Sequence, residues 1–100
     1  MITGINPQYK DDLIKAILSL ENEEQAKSFF IDLCSENEIM LMEQRFAVAK
    51  MLHGGKTYQE IAEETGASTA TISRVSRSLN SGNKGYVDVI KGFEENAATK

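Results

Sequence analysis

Apolar residues recur at three- and four-residue intervals along nearly the whole chain, and no segment alternates apolar with polar as a half-buried strand would. Most of these stripes begin behind a residue suited to cap a helix. Asn6 with Pro7 reads as N-cap and first helical residue, and Tyr9, Leu13, Ile14, Ile17 and Leu18 follow on one face. Asn22 with Gln25 has capping-box spacing ahead of Ala26, Phe29, Phe30, Leu33 and Cys34. Ser35 with Glu38 repeats that spacing ahead of Ile39, Met42, Phe46 and Ala49, with Leu41, Val48 and Leu52 on an adjacent face. So broad an apolar surface predicts a central helix packed on more than one side. Gly54-Gly55 ends it. Thr57 with Glu60 opens a short helix that Gly66 closes, and Ser68 caps another that turns Ile72, Val75 and Leu79 inward. Asn80 to Gly85 reads as a loop, and a last helix carries Tyr86, Val89, Ile90 and Phe93. Asn96 to Lys100 is expected to fray. The expectation is an all-α chain of about six helices forming one domain over residues 1–100, with N-terminal helices at 7–34 and a C-terminal helix at 86–95.

Composition narrows the class. A chain of 100 residues that is 41% hydrophobic and 26% charged fits one folded domain rather than a disordered tail. The single cysteine, Cys34, excludes an intrachain disulfide and falls on an apolar stripe, where a thiol acts as a small hydrophobe. No secretory signal and no membrane-length apolar run is visible, so a cytoplasmic protein with no membrane partner is expected. His53 has no His, Cys or Asp cluster around it in sequence, so neither catalysis nor metal binding is expected, and no cofactor motif is present. At a helix C-terminus His53 is expected to meet the dipole or cap carbonyls. Met40, Met42 and Met51 suit core or interface filling.

The net charge of −4 argues at first against a polyanionic partner. The average conceals a segregation. From Thr65 to Val87 there is no Asp or Glu, while Arg74, Arg77 and Lys84 lie there. Screening over about 8 Å at physiological salt leaves a local basic face little affected by distant acids.

That segment also carries a motif. Thr57 to Leu79 has helix-turn-helix spacing. Two short helices that cross steeply need a small residue where they touch, and Ala62 supplies it. The turn needs a left-handed residue, and Gly66 takes that conformation without steric cost. Ile61, Ile72 and Val75 pin the second helix to the first and to the body. Thr69, Ala70, Thr71, Ser73, Arg74 and Arg77 are left facing outward, small, hydroxylated or cationic and none acidic. Such residues can enter a major groove about 12 Å wide and bond base edges and phosphates. A surplus of apolar faces for one small bundle points to a dimer. The expected function is a dimeric, sequence-specific DNA-binding transcriptional regulator acting on a palindromic operator in double-stranded DNA, with repression the expected mode. The alternative is a protein-interaction module that docks a protein on the same helix pair.

Thr57-Tyr58-Gln59-Glu60-Ile61 and Ala70-Thr71-Ile72-Ser73-Arg74 resemble the Trp repressor family, in particular its YerC/YecD-type branch. The resemblance runs from about Phe30 to Leu79. It implies an intertwined dimer of six-helix chains. It places Gln59 and Glu60 near the operator backbone and Thr69, Ala70, Thr71, Ser73 and Arg74 at the groove; Ser68, which caps the second helix, is a further DNA-binding candidate. The family's co-repressor, tryptophan, lies between two arginines. Arg74 matches one; the other falls on Arg45 if a one-residue gap is placed near Gly54-Gly55, and on Gln44 without it. The capping box at Ser35 favours Arg45. Val75 stands where tryptophan-binding members have glycine, which argues against tryptophan as effector and leaves the effector unnamed.

Overall fold

The computed structural model describes residues 6–98, and side chains through Asn96. Six helices and no strand occur among them: α1 Pro7–Leu18, α2 Glu23–Leu33, α3 Glu36–His53, α4 Tyr58–Thr65, α5 Thr69–Ser81 and α6 Gly85–Ala98. None is long and apolar enough to cross a membrane.

The helix ends follow from local chemistry. Asn6 Oδ1 accepts the Gln8 N–H at 2.9 Å with Pro7 inside the first turn. Ser35 and Glu38 satisfy each other's backbone N–H groups at the start of α3, and Thr57 and Glu60 do the same for α4. The pair at α2 differs from the expectation. Asn22 caps the Gln25 N–H, but the Gln25 side chain reaches one residue further back, to the Glu21 N–H at 2.8 Å. At the end of α3, the Gly55 N–H bonds the Leu52 carbonyl and the Lys56 N–H bonds the Met51 carbonyl. That is a Schellman closure, with Gly55 left-handed at φ 87°.

Two boundaries move. α5 continues through Asn80 to Ser81, because the Ser81 hydroxyl and the Gly82 N–H both bond back to the preceding turn, at Arg77 and Ser78. The expected loop over 80–85 shrinks to residues 82–84, with Lys84 left-handed at φ 67°. The expected fraying from Asn96 does not begin there: α6 runs to Ala98, and residues 99–100 lie outside the described ones, as do residues 1–5.

The chain divides into two compact units, Met1–Ile39 and Met40–Lys100. The second holds the core. Val48 and Ala49 of α3, Ile61 of α4, Ala67 of the turn, Ile72 and Val75 of α5, and Ile90 of α6 are buried. Phe46, Met51, Leu52, Ala62, Leu79 and Tyr86 pack around them. Burying each large apolar side chain contributes about 1.5–3 kcal/mol. The Phe46 and Phe93 rings meet edge-on at 5.5 Å, with the Lys50 ammonium over both. His53 Nε2 lies 3.6 Å from Glu94 Oε2 of α6.

Among its described residues the first unit has no such interior. No residue of α1 or α2 is buried. Tyr9, Ile14, Leu18, Ile31 and Leu33 are exposed, although Phe29 and Phe30 are half-buried and meet edge-on at 5.6 Å. The leading half of α3 also departs from the expected packing, since Met40, Leu41 and Met42 are exposed and only Val48 and Ala49 are fully covered.

Candidate nucleic-acid interface

α4 and α5 form the helix-turn-helix. α4 is locked at its start by the Thr57–Glu60 box, where Thr57 Oγ1 accepts the Glu60 N–H at 3.2 Å and Glu60 Oε1 accepts the Thr57 N–H at 2.9 Å. The Thr57 backbone bond, helped by the Thr57 side chain and more weakly by Lys56, holds the Glu60 carboxyl below the usual carboxylate range. The chain then reverses at Gly66, left-handed at φ 73°. Thr65 braces the turn from within: its Oγ1 donates to the Ile61 carbonyl at 2.7 Å and accepts the Ala67 N–H at 3.1 Å. Ser68 caps α5 by accepting the Thr71 N–H, and its hydroxyl donates to Thr71 Oγ1 at 3.1 Å.

Ile61 and Ile72 are fully buried and Val75 nearly so, which seats α5 on α4 as the spacing requires. One residue advances about 100° round a helix. With Ile72 and Val75 inward, the middle of the outer face is therefore Ala70, Arg74 and Arg77, all exposed. Thr69, Ser68 and Gln59 are exposed as well. Thr71 and Ser73 sit lower, on opposite flanks, and are half-buried. The structure thus brings Ser68, Thr69, Ala70, Arg74 and Arg77 onto one exposed surface, with Thr71 and Ser73 at its edges and Gln59 on the preceding helix. Among the described residues, no ion pair engages Arg74 or Arg77.

Arg74 also borders a cavity of about 260 Å³ with Arg45, Thr71, Val75, Ser78 and Tyr86. Arg45 is therefore the α3 residue that faces α5 here, while the neighbouring Gln44 turns to the helix-turn-helix corner. Ser78 and Tyr86 were not among the sequence candidates. Tyr86 reads as a core anchor from its apolar stripe, and Ser78 has no motif; only the packing of α6 beside α5 places them together. No group of His, Cys, Asp and Glu able to hold a metal occurs among the described residues.

A six-helix, all-α arrangement of the described residues with this corner defines a helix-turn-helix protein. The chain belongs to the Trp repressor family: the family profile described as Trp repressor protein matches residues 8–94, well beyond the Phe30–Leu79 stretch legible by eye. The Bacillus subtilis (strain 168) protein YerC, described as uncharacterized, is 50% identical over 93 residues, covering 90% of this chain and 89% of its own. Two crystal structures agree in fold, each with a TM-score of 0.85. A candidate Trp repressor from Staphylococcus aureus is 49% identical, with 89% of both chains covered. A TrpR-like protein from Eubacterium eligens is 54% identical, with 89% of this chain and 92% of that one covered. The family is one of regulators and not of enzymes.

Proposed function

We propose that the protein is a cytoplasmic, dimeric, sequence-specific DNA-binding transcriptional regulator, and in mode a repressor. The observation that carries this reading is the outer face of α5. Arg74 and Arg77 stand exposed and unpaired on the second helix of a helix-turn-helix, with no carboxylate from Thr65 to Val87 to compete with phosphate. Arg77 and Gln59 would grip the backbone. Ser68, Thr69, Ala70, Thr71, Ser73 and Arg74 would address base edges.

The dimer part rests on the first unit. A segment of under about 40 residues seldom folds without a partner, and Met1–Ile39 leaves Tyr9, Ile14, Leu18, Ile31 and Leu33 exposed. A second copy is the occupant that also supplies the two-fold symmetry of an operator. Arg45 and Arg74 border the cavity where an effector would sit, and Val75 narrows it.

Selection from random duplexes with the purified protein tests the reading. Enrichment of a two-fold symmetric motif is expected, with half-sites about 34 Å apart. Affinity should fall with salt by about 0.9 log units per log unit for each phosphate contacted. Absence of enrichment, with salt-insensitive binding to a protein instead, would move the function to protein docking.

A further inference from the structure

One side-chain hydrogen bond joins α3 to the corner of the helix-turn-helix. Gln44 Nε2 donates to the Thr65 carbonyl oxygen at 3.1 Å, and both residues are half-buried. The carbonyls of a helix's last turn lack intrahelical donors, and Thr65 is the last residue of α4, just before Gly66 turns left-handed. Gln44 thus satisfies an orphan acceptor at the place where the chain changes direction into α5. Thr65 passes the constraint on at once, since its Oγ1 holds both the Ile61 carbonyl and the Ala67 N–H. The Lys56–Glu64 ion pair and the His53–Glu94 contact lie at more open positions, where such pairs contribute little.

We propose that Gln44 is a positioning residue for DNA recognition: without touching DNA, it sets the angle at which α5 leaves the turn and hence the register of its outer face in the groove. This rests on the DNA-binding reading above. Base-edge hydrogen bonds depend on that register, whereas contacts that merely track the phosphate backbone tolerate a small tilt. The role belongs to the amide. A carboxylate of the same shape cannot donate, and it would set two acceptors face to face. Protonating that carboxyl would restore an O–H donor. Glu43 of α3 lines the same groove beside Met40, Leu41 and Met51 and favours that protonation, while the charge of Glu64 of α4 is offset by Lys56 at 3.1 Å.

The test compares wild-type protein, Gln44→Glu and Gln44→Met on two probes: the duplex that the wild type selects, and an unrelated duplex of equal length. At about pH 8, Gln44→Glu should keep the wild-type helical signal and mass. It should bind the selected duplex about tenfold more weakly and the unrelated one within about twofold of wild type. Lowering the pH to about 5.5 should close the gap to wild type for Gln44→Glu but not for Gln44→Met, which keeps the bulk and has no donor at any pH. Binding of the selected duplex within about twofold of wild type by both variants at pH 8 overturns the proposal, as does an equal loss on both duplexes. So does loss of the helical signal in both variants, which would make Gln44 a folding residue. If the wild type enriches no sequence, the DNA-binding reading falls first and this inference falls with it.

Discussion

Arg45 of α3 and Arg74 of α5 border one cavity of about 260 Å³, and among the described residues no carboxylate lines it with them. The rest of the lining is Thr71, Ser78, Tyr86 and Val75, and Val75 is only 2% exposed. The β-branched side chain is thus part of the core and of the cavity wall at once. Where glycine would leave open backbone, two methyl groups stand.

The first expectation is that free tryptophan is not a strong co-repressor of this protein. Added methyl volume in a packed site costs typically ~1–3 kcal/mol, which is about one to two orders of magnitude in affinity. Calorimetry with tryptophan, paired with DNA binding measured with and without it, checks this. Micromolar binding that tightens the DNA complex about tenfold or more would return the protein to the tryptophan-responsive members.

The dimer is checked by mass. Light scattering or sedimentation at micromolar protein should give twice the 11.1 kDa of one chain. Leu18, 78% exposed, and Ile31, 67% exposed, are the apolar residues of α1 and α2 with the highest fractional exposure. Replacing both with Glu should shift the protein to monomer and lower its thermal midpoint together. A wild-type monomer refutes the expectation.

The outer face of α5 separates into two kinds of residue. Thr71→Ala and Ser73→Ala should relax base preference, each by about 1–3 kcal/mol of discrimination. Arg77→Ala should weaken binding to all sequences alike and reduce the salt slope by about one unit. Comparing enriched motifs from the three variants decides it. A changed motif from Arg77→Ala, beside none from Thr71→Ala, reverses the assignment.

Acid should weaken the start of α3 and α4. The Ser35 backbone N–H, with the Ser35 side chain, holds the Glu38 carboxyl below its ordinary value of 4.5, as Thr57 does for Glu60. A lowered folded-state value means stability that is present above the unfolded value and lost as pH falls through the folded one. Thermal unfolding of wild type and the double variant Glu38→Gln/Glu60→Gln, at one protein concentration, should therefore differ most near neutral pH. The two curves should converge below about pH 4. A gap that widens in acid contradicts the assignment. Removing the cap itself, by Thr57→Ala, should cost about 1 kcal/mol near neutral pH and less in acid, because the Thr57 side chain is one of the groups that hold the Glu60 carboxylate.

The helices and their starts were legible because each cap joins residues two or three apart: Asn6 with Gln8, Ser35 with Glu38, Thr57 with Glu60, Ser68 with Thr71. Such contacts need no tertiary partner, so the order of residues alone determines them. The helix-turn-helix was legible for the same reason, since Ile61, Gly66, Ile72 and Val75 lie within one short stretch. The end of α5 was misread because Asn80 and Ser81 favour loops by composition, while the Ser81 hydroxyl bonds back to Arg77 and keeps the helix going.

Other features belong to the packing. Gln44 and Arg45 are adjacent in sequence and about 100° apart on the helix. One meets the Thr65 carbonyl and the other a cavity beside α5. The Ser35 capping box favours Arg45 over Gln44 for the cavity side, but nothing local to α3 marks the Thr65 carbonyl as the partner of Gln44. Tyr86 and Ser78 joined that cavity only because α6 packs beside α5. Periodicity picks out the apolar stripes of α1 and α2 but carries no information about what covers them, and within one chain the α1 stripe stays exposed while that of α2 is mostly half-buried. Capping and helical period act over a few residues and are written in the order of the chain; which side chains from distant helices meet is decided by how those helices pack.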